Sequence, residues 1–245
     1  MEVLGIDIGG TGIKGAPVDT KTGAITRDRL RILTPQPATP GAIIDTVKAI
    51  VDHYKWTGPV GCGFPAVIKD GCVHTASNIS SDWIGVNARD LLQEATGLST
   101  NFLNDADAAG LAEMRFGAGR SQTGLVLIVT LGTGIGTSVF INQTLIPNTE
   151  LGHIELRGKD AEKRASERVR ITRKLSWKKW GIRVDEYLTA IEALLWPDMI
   201  IIGGGASRKH ERYFPYLTVS AQIVPAQLRN QAGIIGAALA APGIE

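Results

Sequence analysis

Two glycine turns of identical sequence have the composition of phosphate-binding loops. The tetrapeptide Gly-Thr-Gly-Ile occurs at residues 10–13 and again at residues 132–135, each time between two apolar runs typical of strands. Such turns expose backbone N–H groups with no side chain in front of them, and concave arrays of amides bind anions. Neither turn has the spacing of a P-loop or of a dinucleotide-binding fingerprint. An alternative is that both are tight hairpins in which glycine supplies a positive φ, but the match between the two turns and a third cluster at Gly203-Gly204-Gly205 favours phosphate binding.

Charged residues beside the first turn indicate a metal-dependent site. Asp7 lies at the end of the first apolar run. A carboxylate next to a phosphate is repelled unless a cation lies between them, so we expect Mg²⁺ at Asp7. Lys14 either adds a positive charge to the same site or points into solvent.

The most basic stretch of the chain covers residues 159–180. It carries nine Lys or Arg residues against three acids, a local charge of +6, whereas the whole chain is +2. A solvated helix face is the default explanation, although such faces usually alternate in sign. Nucleic acid binding is a second explanation, but no DNA-binding module accompanies the stretch. A third is another polyanion.

The apolar patterns predict an α/β protein. Strand, glycine turn and strand occur twice, and helical periodicity marks residues 43–54, 87–98, 177–195 and 232–241. We therefore expect two related α/β lobes with a cleft between them, at residues 1–110 and 111–245. The small-residue helix at 232–241 is expected to pack back on the first lobe.

Composition places the chain among ordinary globular proteins. Of its 245 residues, 44% are hydrophobic and 20% are charged. Cys62 and Cys72 form no disulfide framework, which favours a reducing compartment. The chain opens on a strand pattern rather than a leader, and its apolar runs are too short for a membrane span. We expect a cytoplasmic protein with neither membrane nor nucleic acid as partner.

Four ordered motifs resemble the ROK family of sugar kinases. They are DIGGTGIK at residues 7–14, LNDADAAGLAE at 103–113, LGTGIG at 131–136 and ELGH at 150–153. The resemblance implies a two-lobed actin/hexokinase-like (ribonuclease H-like) α/β fold with a catalytic cleft between the lobes. The stretches TPQPATP, DWIG, ELGHIEL and EKRAS are similar to one branch of that family, the bacterial polyphosphate glucokinases, which use inorganic polyphosphate and often ATP.

The resemblance also implies roles for individual residues. Asp105 matches the general base, which accepts the proton of the attacking sugar hydroxyl; the alternative is that Asp105 only caps a helix. Sugar-binding positions are matched by Asn78, Asn104, Glu150, His153 and, after the departure described next, Glu162. The phosphate- and nucleotide-binding positions are matched by Asp7, Gly9, Gly10, Thr11, Lys14, Thr130, Gly132, Thr133, Gly134, Gly203, Gly204 and Gly205.

The sequence departs from the family pattern in two places. Most relatives follow the histidine of their GH motif with three cysteines that bind a structural zinc, but no cysteine follows Cys72 here, so no zinc site is expected. Ala66 replaces a usual glycine in a loop near the sugar.

The basic stretch occupies the position at which most relatives have the zinc-binding segment. Polyphosphate is a long linear polyanion, so its phosphates need cations well beyond the catalytic pocket. We therefore expect a polyphosphate groove, lined by Lys163, Arg164, Arg168, Arg170, Arg173 and Lys174.

Together these features predict a glucokinase. We expect it to transfer a phosphoryl group from polyphosphate or ATP to the 6-hydroxyl of glucose, with mannose as a second acceptor and Mg²⁺ as cofactor. The resemblance also implies a homodimer. The alternatives are a strictly ATP-dependent hexokinase, a sugar-sensing repressor of the same family, and a non-catalytic actin-like protein. The repressors carry an added N-terminal DNA-binding domain, whereas Asp7 of the kinase core stands close to the start of this sequence.

Overall fold

The computed structural model describes residues 1–77 and 79–244. Residues 1–112 and 231–245 form one compact unit, and residues 113–230 form a second. The boundary thus lies two residues beyond the expected one, and the C-terminal segment belongs to the first unit. Within the described ranges, no helix is long and apolar enough to cross a membrane.

The first unit is built on a six-stranded sheet. The sheet has the order β3-β2-β1-β5-β8, with β4 also paired to β2. Strands β1, β5 and β8 are parallel, whereas β2 is antiparallel to β1. The strands of this unit are β1 (Glu2–Gly9), β2 (Gly12–Asp19), β3 (Ala24–Ile25), β4 (Leu30–Ile32), β5 (Val60–Phe64), the β6–β7 ribbon (Ile68–Lys69 and Cys72–Val73) and β8 (Thr100–Asn104).

Helices α1 (Pro40–Tyr54) and α2 (Ala88–Thr96) complete the core of this unit. The apolar stripe of α1 is buried at Ile43, Val47 and Ile50 in one cluster with residues of β1 and β5. Gly97 ends α2 with a φ of 71°, as expected from its position after the periodic segment. Helix α3 (Asp105–Phe116) follows β8 directly, so Asp105 is the first residue of the helix.

Glycines allow the C-terminal helix α7 (Ala232–Leu239) to lie directly against this sheet. A Cβ on Gly61 of β5 would lie 2.6 Å from the carbonyl carbon of Ala237, and one on Gly5 of β1 would lie 3.0 Å from that of Ile234. Real Cβ atoms do not approach backbone so closely, so only glycine leaves room for the helix. This is why residues 231–245 belong to the first unit rather than to the expected second lobe.

The second unit repeats the same topology around a five-stranded sheet. Its order is β11-β10-β9-β14-β15, in which β9 and β10 form an antiparallel hairpin and β9, β14 and β15 are parallel. The repeat of the GTGI letters is thus matched by a repeat of hairpin and parallel strand. The strands are β9 (Leu125–Leu131), β10 (Ile135–Ile141), β11 (Thr144–Ile146), the β12–β13 ribbon (Glu155–Leu156 and Lys159–Asp160), β14 (Met199–Gly203) and β15 (Gln222–Pro225).

The basic stretch is not one continuous helix. It runs through β13, the short helices α4 (Glu162–Ala165) and α5 (Glu167–Thr172), and the start of α6 (Trp177–Leu195). Trp180 of α6 is fully buried, and its indole N–H donates to the carbonyl oxygens of Ala165 and Ser166. This contact fixes α4 and α5 against α6, so the basic side chains are carried on a defined surface.

Candidate functional site

The first glycine turn carries an ion pair at its base. Lys14 lies opposite Asp7 in the β1–β2 hairpin, and its Nζ donates to Asp7 Oδ2 at 2.9 Å. Lys14 therefore does not point into solvent. A second cation, Arg31 of β4, donates to the carbonyl oxygen of Thr11 at 3.3 Å. No local pattern marked Arg31, because its place beside the turn depends on the pairing of β4 with β2.

Asn104 is the N-cap of helix α3. Its Oδ1 accepts hydrogen bonds from the backbone N–H groups of Ala106 (2.8 Å) and Asp107 (3.2 Å), and its Nδ2 donates to the carbonyl oxygen of Ala66 (3.2 Å). The cap therefore belongs to Asn104, and the alternative that Asp105 caps the helix is wrong. Asp105 is the first residue of α3 and is half-buried. Ala66 itself is buried, and its carbonyl helps to hold the cap.

Asp7 and Asp105 flank the first turn of α7. A Cβ on Gly233 would lie 3.0 Å from Asp7 Cγ, and one on Gly63 would lie 3.7 Å from the Cα of Asp105 and 3.9 Å from the carbonyl oxygen of Gly233. Asp7 lies at the carboxyl end of β1, while Asp105 follows the carboxyl end of β8, with β5 between them. The carboxyl ends of parallel strands are where open α/β sheets bind ligands.

The second unit places two glycine segments side by side. The GTG turn, residues 132–134, joins β9 to β10, and the triple glycine, residues 203–205, follows β14. Thr130 of β9 pairs with Gly203 of β14, so both segments leave the same edge of one sheet. Gly204 has a φ of 76°, and no glycine of either GTG turn is among the positive-φ glycines of the described chain. The turns do not use glycine for left-handed backbone, which removes the alternative based on positive φ.

Carboxylates lie against both glycine segments. Glu162 Oε2 would be 2.5 Å from a Cβ on Gly134, and Glu167 Oε2 would be 2.6 Å from a Cβ on Gly205. The start of α5 is also tied to the turn, because the N–H of Arg168 donates to the carbonyl oxygen of Gly132 at 3.0 Å. Helices α4 and α5 thus border the predicted phosphate site with acids.

A polar cluster forms around His153, at the end of the short 3₁₀ helix Leu151–His153. Its Nε2 lies 3.7 Å from Glu150 Oε2, and its Nδ1 lies 3.8 Å from Asp160 Oδ2. Ligand atoms of His153, Asp160 and Glu162 all lie within 4.8 Å of one another. Three predicted sugar-binding residues are therefore brought together, and Asp160 joins them. Asn78, also predicted to bind sugar, lies outside the described residues.

Asp160 was missed because it stands inside the basic stretch. The β12–β13 ribbon turns it toward His153, and Lys163 donates to Asp160 Oδ2 at 2.9 Å. The hydrogen bond from Lys163 holds the pKa of the Asp160 carboxyl below its usual value and raises the pKa of Lys163. Lys163 is thus engaged with this cluster.

The six cations predicted to line a groove differ in their surroundings. Arg164 is largely buried and lies 2.7 Å from Glu186, and Arg170 lies 3.9 Å above the ring of Trp177 and 3.8 Å from Glu167. Arg168, Arg173 and Lys174 are exposed. The structure therefore gives Arg164 and Arg170 packing contacts and leaves the exposed three on the surface.

The chain is similar to known sugar kinases over nearly its whole length. A profile of the ROK family matches residues 3–166. Polyphosphate glucokinase of Mycobacterium tuberculosis (strain CDC 1551 / Oshkosh) is 50% identical over 238 residues, which cover 97% of this chain and 90% of that protein. The structure of inorganic polyphosphate/ATP-glucomannokinase from Arthrobacter sp. strain KM matches with a TM-score of 0.93 at 44% identity, covering 97% of both chains. A glucokinase from Streptomyces griseus, solved with glucose and AMPPNP, matches with a TM-score of 0.83 at 26% identity, covering 98% of this chain and 99% of that one.

Proposed function

The chain belongs to the ROK family, and from this premise we propose that it is a glucokinase that phosphorylates the 6-hydroxyl of glucose with inorganic polyphosphate or ATP. The full-length similarity to polyphosphate-using kinases carries this proposal. Because one of these relatives is a glucomannokinase, mannose is proposed as a second acceptor.

Asp105 is the proposed general base. As the sugar oxygen attacks phosphorus, the hydroxyl proton passes to the Asp105 carboxylate, the new O–P bond forms and the bridging P–O bond of the donor breaks. The donor leaves as ADP or as a polyphosphate shortened by one unit. Capping of α3 by Asn104 supports this role, because it fixes the backbone from which Asp105 projects.

Replacing Asn104 with alanine is expected to lower both stability and turnover. Loss of the N-cap acceptor should reduce the free energy of unfolding by about 1–2 kcal/mol, and kcat should fall because the first turn of α3 carries Asp105. Denaturant unfolding and glucose phosphorylation measure the two effects.

Asn87 provides a matched control. Its Oδ1 caps α2 through the N–H of Asp90 at 3.1 Å, so Asn87→Ala should cost similar stability with kcat unchanged. A wild-type kcat in Asn104→Ala would show that the cap does not position the base.

The glycine turns and their charged neighbours are proposed to hold the donor. Backbone amides of residues 9–12 and 132–134 bind its phosphates, and residues 203–205 approach the nucleotide. Asp7 would hold Mg²⁺, an ion that needs only one or two carboxylates besides phosphates and water; Lys14 binds Asp7 Oδ2 and leaves Oδ1 for this purpose. When bound, the metal neutralises charge on the transferring phosphoryl group.

The sugar hydroxyls are proposed to bind the cluster around His153. Glu150, His153 and Glu162 offer carboxylate and imidazole groups in hydrogen-bonding range of one polyol, and Asn78 and Asn104 complete the proposed set. Asp160 is proposed to join them because it lies beside His153.

A polyphosphate groove along the basic stretch belongs to the same proposal. The exposed side chains of Arg168, Arg173 and Lys174, with Lys163, supply its cations, whereas Arg164 and Arg170 chiefly hold the surface. Cytoplasmic location and a homodimer are also proposed; the exposed Leu194 and Trp196 at the end of α6 offer an apolar contact for a second copy.

Supplying each donor alone tests the proposed function. The purified protein with glucose and Mg²⁺ should form glucose 6-phosphate with polyphosphate alone and with ATP alone. Turnover with ATP only would make the chain a strictly ATP-dependent hexokinase, and turnover with neither would overturn the proposal.

A further inference from the structure

Two arginines share one carboxylate beside α4 and α6, and a third lies next to them. Arg164 Nη2 lies 2.7 Å from Glu186 Oε2, and Arg157 also binds the Glu186 carboxylate. Arg183, one turn before Glu186 on α6, donates from Nη1 to the carbonyl oxygen of Arg164 at 3.4 Å. Arg183 is half-buried, and this hydrogen bond places its guanidinium beside Arg164.

The surroundings of Arg183 lower its pKa. Its pKa lies below the ordinary arginine value, first because partial burial disfavours the charged form and then because the guanidinium groups of Arg173 and Arg164 lie nearby. The Glu186 carboxylate raises the pKa of Arg183 but offsets the lowering only in part. Arg183 thus lies near two further guanidinium groups, and the Glu186 carboxylate beside them is bound by Arg157 and Arg164.

Clustering of like charges is not explained by protein stability. Like charges held together repel one another, and the repulsion is strongest where water is partly excluded. The cost is recovered when an anion binds between them. Guanidinium groups suit phosphate oxygens in particular, because their planar N–H fork can bind two oxygens at once.

Arg164 and the residue of α4 that borders the GTG turn lie on different faces of the helix. Glu162 abuts Gly134 of the GTG turn, and Arg164 follows two residues later on α4. Residues at positions i and i+2 of a helix do not share a face. Phosphates bound by these arginines would therefore be separate from those at the turn, so a donor that reaches both must be longer than the three phosphates of ATP.

We propose that Arg164, Arg173 and Arg183, with Arg157 at their edge, form a second seat for inorganic polyphosphate, which holds a distant part of the chain while its end reacts. This inference rests on the proposed function for its ligand and changes the groove predicted from sequence in two ways. Arg183 and Arg157 lie outside residues 159–180 and join it, and Arg164 gains a role beyond its ion pair.

Neutralising Arg183 tests the seat. Arg183→Met should raise the KM for long-chain polyphosphate roughly ten-fold, the loss expected for one charge-assisted contact, and leave kcat and the KM for ATP unchanged. The salt dependence of polyphosphate affinity should become shallower by about one unit of logarithmic slope. Arg173→Met repeats the test at an exposed residue whose removal does not threaten folding.

Lys178→Met is the matched control, because Lys178 is an exposed cation on the same helix but on another face. It should leave the KM for polyphosphate near the wild-type value. If Lys178→Met raised the KM for polyphosphate as much as Arg183→Met, a diffuse positive field would attract the donor. If Arg183→Met raised the KM for ATP as much as that for polyphosphate, Arg183 would lie at the reacting site. Either result would overturn the proposed second seat.

Calorimetric binding separates this inference from the proposed function. Long-chain polyphosphate should bind the wild type and lose affinity in Arg183→Met, even if the wild type proves unable to use it as donor. Unchanged polyphosphate binding in Arg183→Met and Arg173→Met would refute the second seat. It would also be refuted if these variants lost as much affinity for single-stranded DNA as for polyphosphate, because the surface would then be a nucleic acid site.

Discussion

Replacement of Asp105 by asparagine is expected to lower kcat by about 10²–10⁴-fold, the usual contribution of a general base. Asparagine keeps the size of the side chain but cannot accept the proton of the sugar hydroxyl. The cap of α3 should survive, because it is made by Asn104 and not by Asp105. Glucose affinity is therefore expected to change little, and the free energy of unfolding should stay near the wild-type value.

Steady-state kinetics with both donors and calorimetric titration with glucose measure this result. Asp90→Asn is a suitable control, since it removes an exposed carboxylate from the first turn of α2, and it should leave kcat intact. If Asp105→Asn turned over at the wild-type rate, another group would have to be the base.

Replacement of Gly61 by alanine is expected to destabilise the protein strongly. The new Cβ would overlap the carbonyl group of Ala237 in α7, and neither β5 nor α7 can shift without disturbing the sheet or the helix. Overpacking of this kind should cost about 3 kcal/mol or more. Denaturant unfolding measures the loss, with far-ultraviolet circular dichroism to check whether the variant folds at all.

Gly41→Ala supplies the comparison. Gly41 lies in the first turn of α1, and a Cβ there would meet nothing within 4 Å. Alanine also favours the helix over glycine, so this variant should be as stable as the wild type or slightly more so. If Gly61→Ala matched it, the close approach of α7 would not be a requirement of the fold.

Fold class and family could be predicted from the sequence because both rest on local patterns. Apolar runs, glycine turns and helical spacing predicted the strands around the two GTG turns and helices at 43–54 and 177–195, which the structure has at 40–54 and 177–195. The ROK motifs identified the family, and the full-length matches confirm both the family and its two-lobed actin/hexokinase-like fold. The small residues of α7 predicted its packing on the first unit, although the expected boundary assigned residues 231–245 to the second lobe.

The details of the site depend on contacts that no local pattern contains. Whether Asn104 or Asp105 caps α3 is decided by backbone geometry at a single turn. Asp160 joins His153 only because a two-residue ribbon brings it there, and Arg183 meets Arg164 across two helices. In each case the residues are of ordinary type, and only the tertiary structure gives them partners.

The position of α7 also affects the order in which the molecule can be built. Residues 113–230 are continuous in sequence, whereas the first unit needs residues 231–245 to cover its central strands. During translation, the ribosome makes those residues after every part of the second unit. The second unit therefore has its full sequence while the first unit still lacks residues 231–245. We expect the second unit to complete its fold first, the reverse of the usual N-terminal-first order of domain folding.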